Sequence, residues 1–143
     1  STQGYSSAAS DVYKRQVFAL DTALFLHDLT DRTPHKFHMA FPYGYNTSSP
    51  KAAGILCSCK KEPYYSLGIA LVDTPAGNTV WAYNAEKTLC EILKPISHTD
   101  IQIITDAFKR YAGRKDKNIP LLSEYAHQLR VEKRLRPYLE VLL

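Results

Sequence analysis

Basic residues are concentrated towards the C-terminus of the chain. Residues 109–136 hold nine basic and three acidic residues, a net charge of +6, whereas the rest of the chain carries −2. Such an asymmetry favours a polyanionic or acidic partner. The alternative, that these side chains form the solvated faces of two or three helices, has about equal weight. The candidate partner-binding residues are Lys109, Arg110, Arg114, Lys115, Lys117, Arg130, Lys133 and Arg134.

Residues for the common catalytic sites do not occur together. There is no glycine-rich phosphate loop and no serine nucleophile elbow. A metal-dependent nuclease would carry an acid on one strand and an acid-x-Lys on the next, so that two carboxylates hold Mg²⁺. Asp73 ends a predicted strand, but the following strand, TVWAY, has neither residue, and Glu86-Lys87 opens a helix. We therefore predict a protein that is not an enzyme and uses no cofactor.

The cysteines do not predict a metal or disulfide site. Cys57-x-Cys59, with one distant Cys90 and no nearby histidine pair, has poor zinc spacing. An odd number of cysteines also argues against a disulfide framework. We expect reduced thiols, with residues 57 and 59 on one face of a strand and Cys90 on a helix.

Histidines and tyrosines have structural interpretations as well as functional ones. His27 lies on the apolar face of a predicted helix, where we expect a hydrogen-bonded packing residue rather than a base. His35 and His38 would point to opposite faces of a strand and do not predict a metal pair. Four tyrosines could stack on bases, but hydroxyls exposed along a sheet edge are favoured. These are Tyr43, Tyr45, Tyr64 and Tyr65.

The first half of the chain predicts one helix and two strands. Apolar residues recur at helical spacing over residues 17–29. Residues 30–34 end this helix, because a residue before proline is disfavoured in the α region. Residues 36–42 alternate as a strand does, and a second strand, 54–60, follows a stretch of turn residues at 43–50.

The second half predicts a hairpin and then helices. Residues 68–73 form a continuous apolar run, typical of a strand covered on both faces. The turn TPAGN (74–78) and the β-forming stretch 79–83 predict a hairpin. Asn84 is a suitable N-cap for a helix with Glu86 in its first turn.

The remaining chain predicts helices only. Ser97 or Thr99 can cap one helix, Pro120 suits the first turn of the next, and Pro137 marks a helix start or a kink. The apolar stripe of the first of these helices is Ile101, Ile104, Phe108 and Tyr111. The sum is an α+β fold with an N-terminal helix, a small mixed or antiparallel sheet with a hairpin, and three to four C-terminal helices.

Length and hydropathy limit the class of protein. The 143 residues suit one domain. No apolar run approaches the roughly 20 residues needed to span a bilayer. The N-terminus lacks the basic-then-apolar plan of a secretory signal. We expect a cytoplasmic protein with no membrane partner and no small-molecule substrate.

Three stretches carry a family resemblance. They are DTALFLHDLTDRTPHKFHMAFPYGYNTS (21–48), TPAGNTVWAYNAEKTLCEIL (74–93) and DIQIITDAFKRYAGRKDKN (100–118). Over residues 17–143 the chain resembles the C-terminal domain of the AbiE-type (AbiEi) abortive-infection antitoxins of bacterial type IV toxin–antitoxin systems. The motif residues are Thr22, His27, Thr30, Asp31, Arg32, Glu86, Lys87 and Thr88, with Lys87 where arginine is more typical.

The resemblance implies a function in phage defence. In that family the C-terminal domain counteracts a nucleotidyltransferase-like toxin encoded beside it. An N-terminal winged helix-turn-helix binds promoter DNA and represses the operon. The chain would thus be the toxin-neutralising domain, with its basic helices facing nucleic acid or an acidic partner.

The N-terminal segment gives a different expectation. Residues 6–16, SSAASDVYKRQ, have no helical or strand period. They correspond codon for codon to one reading frame of a common transposase-based sequencing adapter. We expect residues 1–16 to be unstructured and non-native, to pack poorly, and to stand where the winged helix-turn-helix would be.

Two function classes remain open. The first is a non-enzymatic antitoxin domain, and the second is a nucleic-acid-processing enzyme with a nuclease-like α+β core or a general nucleic-acid-binding module. Converging carboxylates at metal-bridging distance would favour the enzyme. The missing acid-x-Lys favours the antitoxin.

Overall fold

A computed structural model describes residues 17–142 of the chain. Within that range five strands form one mixed sheet, and helices follow it towards the C-terminus. The predicted α+β fold is therefore confirmed. The expectation for residues 1–16 lies outside the described residues, and so does Leu143, the last residue of the predicted domain.

The sheet has a short strand at its centre. The strands are β1 (Val17–Phe18), β2 (His38–Pro42), β3 (Leu56–Lys60), β4 (Ile69–Asp73) and β5 (Thr79–Tyr83). Their order is β3-β2-β1-β5-β4. The central β1 runs antiparallel to β2 and parallel to β5, while β2 and β3 are parallel and β4 and β5 antiparallel. The predicted mixed sheet and hairpin are both present.

The predicted first helix is too long at both ends. Val17 and Phe18 form β1, because Val17 pairs with Ala40 and is completely buried beside it. The first α-helix, α1, covers Leu20–Leu26. Asp28, with φ of 59°, turns the chain away before residue 30, so the helix ends ahead of the predicted stop.

The apolar run 68–73 does not form a strand covered on both faces. Its strand, β4, lies at the edge of the sheet and pairs with β5. Leu71 at its middle is 60% exposed. An apolar run shows that a segment is hydrophobic. It does not show whether the strand lies at the centre or the edge of the sheet, because that depends on pairing with strands elsewhere in the chain.

Helix caps follow the expected chemistry with one exception. Asn84 caps its helix by accepting from the Lys87 N–H. The predicted cap at Ser97 or Thr99 is wrong, because Asp100 accepts from Gln102 N–H, at 2.7 Å, instead. A short helix, α2 (Ser48–Ala52), begins inside the predicted turn region 43–50 and ends just after it. The other helices are α3 (Ala85–Ile92), α4 (Ile101–Ala112), α5 (Ile119–Gln128) and α6 (Glu132–Leu142).

The prolines differ in position. Pro120 lies in the first turn of α5, as predicted. Pro137 lies inside α6 and not at a helix start. None of the helices in the described part of the chain is long and apolar enough to cross a bilayer.

Helix α3 lies at the centre of the molecule. All eight of its residues are buried, including its charged ones. It packs against α1, α4 and α5, while its N-terminus follows directly from β5. The apolar core is made largely by this helical layer, with Phe108, Tyr111 and Leu122 completely buried. Of the predicted stripe on α4, Ile101 is the exception, at 63% exposed.

Candidate functional site

The first turn of α3 carries three motif residues, Glu86, Lys87 and Thr88. Their side chains are buried, with relative exposures of 9%, 0% and 0%. A buried polar group destabilises the fold unless it is hydrogen-bonded, so the partners of these side chains decide their role.

Lys87 is enclosed by acceptors. Its Nζ donates to the carbonyl oxygens of Tyr64, at 2.7 Å, and Leu67, at 2.9 Å. It lies 3.8 Å from the centroid of the Tyr83 ring and 3.9 Å from Glu91 Oε2. Burial nevertheless lowers the pKa of Lys87 to about 8, because removal from water disfavours the charged form. The side chain fastens the loop before β4 to α3.

Gly68 makes room for this arrangement. Its φ is +84°, in the left-handed region that favours glycine. A Cβ at this position would lie 2.7 Å from the Lys87 Cβ, closer than side chains approach. The loop can therefore cross α3 closely only with glycine at residue 68.

Glu86 and Thr88 bind to other elements. Glu86 Oε2 accepts from the Tyr111 hydroxyl at 2.5 Å, and that hydroxyl accepts from Asn118 N–H at 2.6 Å. Burial, followed by the Glu86 hydrogen bond, raises the pKa of Tyr111. Thr88 Oγ1 donates to the carbonyl oxygen of Asn84 at 2.8 Å and to that of Tyr83, the last residue of β5, at 3.4 Å. The three side chains thus connect α3 to the sheet, the loop and α4.

The motif residues of α1 also have structural partners. Thr22 Oγ1 accepts from His38 N–H at 2.9 Å. His27 Nε2 donates to the Tyr83 carbonyl at 2.7 Å, which agrees with the packing role predicted for it. Burial lowers the pKa of His27, so the ring is held in its neutral form.

The remaining motif residues lie in the loop after α1. Thr30 is buried, and its Oγ1 accepts from Arg32 N–H at 3.2 Å. The Asp31 side chain is 78% exposed, and its Oδ2 lies 3.9 Å from Arg110 Nη2. Only Asp31 and Arg32 among the eight motif residues are exposed, so most of the motif stabilises the fold.

Within the described residues, neither the cysteines nor the acids gather at one point. In the register of the sheet Cys57 and Cys59 lie on one face of β3, as predicted, while Cys90 is buried in α3. Asp73 is exposed at the end of β4. No group of three or more histidine, cysteine or acidic residues in residues 17–142 could hold a metal ion.

The histidines and tyrosines have individual environments. His35 is exposed before β2, while His38 Nε2 lies 2.7 Å from Ser58 Oγ. The tyrosines do not form one row. Tyr45 stacks on the Phe41 ring, Lys61 Nζ lies 4.9 Å from the centroid of Tyr43, Tyr64 is partly exposed, and Tyr65 is buried.

Half of the eight predicted basic residues have a structural explanation. Arg110 Nε binds Asp106 Oδ2 at 2.9 Å. Arg114 forms a two-bond pair with Asp116, and it donates to the His27 carbonyl at 2.9 Å. Lys109 and Arg110 lie in the last turn of α4, where the helix dipole favours cations, and Lys117 Nζ donates to the Ala112 carbonyl there.

The other basic residues have no such explanation. Arg130, Lys133 and Arg134 are exposed, and within residues 17–142 none of them forms an ion pair. The neighbouring Glu132 binds His127, at 3.2 Å. Lys133 and Arg134 lie in the first turn of α6, where the helix dipole disfavours cations. We call Arg130, Lys133 and Arg134 the α6 cationic surface.

The structure groups six of the eight predicted basic residues in two places. Lys109, Arg110 and Arg114 line one shallow hollow together with His27. The α6 cationic surface lines a second hollow with His127 and Glu132. Lys115 is exposed on the loop after α4. The sequence predicted a single group of basic residues, because counting charges does not distinguish an arginine in an ion pair from an arginine without one.

A further polar cavity was not predicted from the sequence. It lies between β3 and the end of α3 and is lined by Lys60, Glu91 and Lys94 among others. Lys60 and Glu91 are 31 positions apart, so local spacing gave no signal for their pairing. The one local sign was Glu91, four residues after Lys87 on the same helix.

Comparison with known proteins adds no assignment. No protein-family model matches the chain, and no curated protein matches it.

Proposed function

We propose that the chain is the neutralising domain of an AbiE-type antitoxin, acting in the cytoplasm on a nucleotidyltransferase-like toxin without catalysing a reaction. The proposal joins the family resemblance of residues 17–143 to the chemistry of the α6 cationic surface. This surface presents three positive charges to solvent and suits an acidic patch on a protein partner.

One observation carries the proposal: cations stand at a helix end where folding favours acids. The first turn of α6 would be more stable with negative side chains at Lys133 and Arg134, since the N-terminal end of a helix carries partial positive charge. Neither residue has an acidic partner in the described part of the chain to offset this cost. Binding to an anionic partner is a reason to keep these charges.

The burial of the motif residues supports a role without catalysis. A general base or nucleophile must reach its substrate, whereas Glu86, Lys87 and Thr88 are buried and bonded to other elements of the fold. Their arrangement gives these motif residues a structural role and assigns them no chemistry.

The direct test is binding of the purified chain to the purified toxin. The double variant Lys133→Glu/Arg134→Glu should weaken binding at least tenfold, because two attractions become repulsions. Binding by the unmodified chain should also weaken as salt is raised, since exposed charges are screened. Equal affinity of the variant and the unmodified chain would overturn the proposal.

A matched control separates this surface from net charge. Lys36 and Lys51 are also exposed and lie outside both hollows. Lys36→Glu/Lys51→Glu changes the net charge by the same amount and should bind the toxin as the unmodified chain does. Loss of binding in both variants would indicate a nonspecific charge effect. If the surface binds duplex DNA and not the toxin, it is a nucleic-acid interface instead.

A further inference from the structure

A cavity of about 440 Å³ lies between β3 and the segment that follows α3. Its wall combines charged, hydroxyl and apolar side chains, and its size is in the range of small-molecule sites. It is separate from the α6 cationic surface, with which it shares no lining residue. The polar residues important here are Lys60, Glu91, Lys94, Ser58, Ser97 and His38.

The local charge is positive. Lys60 Nζ lies 2.7 Å from Glu91 Oε2, and the buried Lys87 Nζ lies 3.9 Å from the same oxygen. Lys94 also lines the cavity, and its side chain has no ion pair within residues 17–142. Lys60 and Lys87 thus flank the Glu91 carboxylate. Asp21 is a second acid near the cavity, since its charge acts on the lining residue His38. Three lysines against two acids leave an excess of one positive charge.

The charges around the cavity also act on Lys87. Burial is the main cause that lowers the pKa of Lys87, Glu91 raises it, and the charges of Lys60 and Lys94 lower it. An anion beside Lys94 would relieve this repulsion. The cavity thus has a physical reason to take up negative charge.

Glu91 adds a second requirement. The residue is only 2% exposed, and its Oε1 is buried without a hydrogen-bond partner in the described part of the chain. A buried carboxylate oxygen is costly to leave unpaired. Since Glu91 lines the cavity, a hydrogen-bond donor on a bound molecule would complete its bonding with a small movement of the side chain.

We propose that this cavity binds a small organic anion that also carries a hydrogen-bond donor, with the anionic group at Lys94 and Lys60 and the donor at Glu91 Oε1. The hydroxyls of Ser58 and Ser97 and the His38 ring supply further polar contacts. Such a ligand is not part of the proposed neutralisation function. It departs from the expectation, drawn from the sequence, that the protein has no small-molecule substrate.

The test uses three probes and amide chemical shifts of the whole chain. Ethanolamine phosphate carries an anion and an ammonium donor, inorganic phosphate carries the anion without the ammonium, and ethanolamine carries the ammonium without the anion. Ethanolamine phosphate should shift the amides of Ser58, Lys60, Lys94 and Ser97 in the millimolar range. It should bind more tightly than either simpler probe, because two contacts are made by one molecule.

Variants assign the two contacts. Lys94→Met should raise the Kd of ethanolamine phosphate about tenfold, as expected for loss of one contact to a charged group. Lys36→Met, outside the cavity, should leave it unchanged. Glu91→Gln should abolish the preference for ethanolamine phosphate over inorganic phosphate while phosphate still binds.

Three results would overturn the proposal. One is the absence of shifts at the cavity with every probe. Another is binding that survives Lys94→Met unchanged, which would place the anion elsewhere. The third is equal affinity for phosphate and ethanolamine phosphate in the unmodified chain, which would remove the role of Glu91. If Glu91→Gln does not fold, Lys94→Met and the comparison of probes decide the question.

Discussion

The first turns of α3 and α6 contain similar residue types in opposite environments. Each has a glutamate followed by a lysine, Glu86-Lys87 in α3 and Glu132-Lys133 in α6. In α3 both side chains are buried and bonded to distant parts of the chain. In α6 both side chains are exposed, and Lys133 has no ion-pair partner within the described residues.

The difference shows that environment, and not residue type, separates a buried, bonded charge from an exposed charge that has no ion-pair partner in the described residues. The unfavourable dipole acts on a lysine at either helix start. Two carbonyls, an aromatic ring and a carboxylate offset it at Lys87. At Lys133 nothing in residues 17–142 does so. The first cluster is thus expected to govern stability, and the second to govern binding.

The largest effect should come from Lys87→Met. The change removes the donor to two loop carbonyls and leaves Glu91 with less compensation, so it should lower the free energy of unfolding by about 3–5 kcal/mol. Urea unfolding followed by circular dichroism measures this. Lys133→Met is the matched control and should change stability by less than about 0.5 kcal/mol. Equal effects at the two lysines would break the distinction between the two helix starts.

Gly68→Ala tests the close contact between the loop and α3. Gly77, with φ of +92°, has open space where a Cβ would lie, so Gly77→Ala reports the backbone effect alone. Both changes strain a left-handed residue, but alanine at residue 68 also collides with Lys87. It should therefore be more destabilising than Gly77→Ala by about 1–3 kcal/mol. An equal decrease in the free energy of unfolding of the two alanine variants would show that the loop is not in close contact with Lys87.

Tyr111→Phe removes one hydroxyl from the α3 network. That hydroxyl donates to Glu86 and accepts from Asn118 N–H, and both groups would lose a partner. The expected loss is about 1–3 kcal/mol in the free energy of unfolding. Tyr138→Phe is a control, since the Tyr138 ring stacks on Phe108. An unchanged free energy of unfolding in Tyr111→Phe would mean that water replaces the hydroxyl.

A smaller effect is expected from acid. Burial lowers the folded-state pKa of His27 and of His38, so the unfolded chain binds more protons in mildly acidic solution. Stability should be fully present above pH 6.5 and should fall as the pH drops below that value. His27→Gln should make the fall shallower, whereas His35→Gln at an exposed position should not. An unchanged dependence of stability on pH in His27→Gln would contradict a neutral, buried His27.

Part of the fold was predictable because some signals are local. The Asn84 cap, the TPAGN turn and the helical stripes each act within a few residues, and all three correspond to observed elements. Strand β1 was missed because a two-residue strand has no measurable period. Its identity depends on pairing with β2 and β5, which are distant in sequence.

The sites were less predictable for the same reason. Charge counting located the basic residues but not their partners. Arg110 and Arg114 form ion pairs with acids, whereas the α6 cationic surface forms none within the described residues. The burial of Lys87 depends on a loop about 20 residues earlier in the chain. The cavity depends on Lys60 meeting Glu91 across two elements.

The most direct test of the central claim measures stability and neutralisation in one variant, Lys133→Glu/Arg134→Glu. Acids at the first turn of α6 should raise the free energy of unfolding slightly, by about 0.3–1 kcal/mol for each favourable charge at low salt. The same variant, co-expressed at equal level, should fail to rescue cells from the nucleotidyltransferase-like toxin. Full rescue by this stable variant would contradict the account, because the cations would then serve neither folding nor neutralisation.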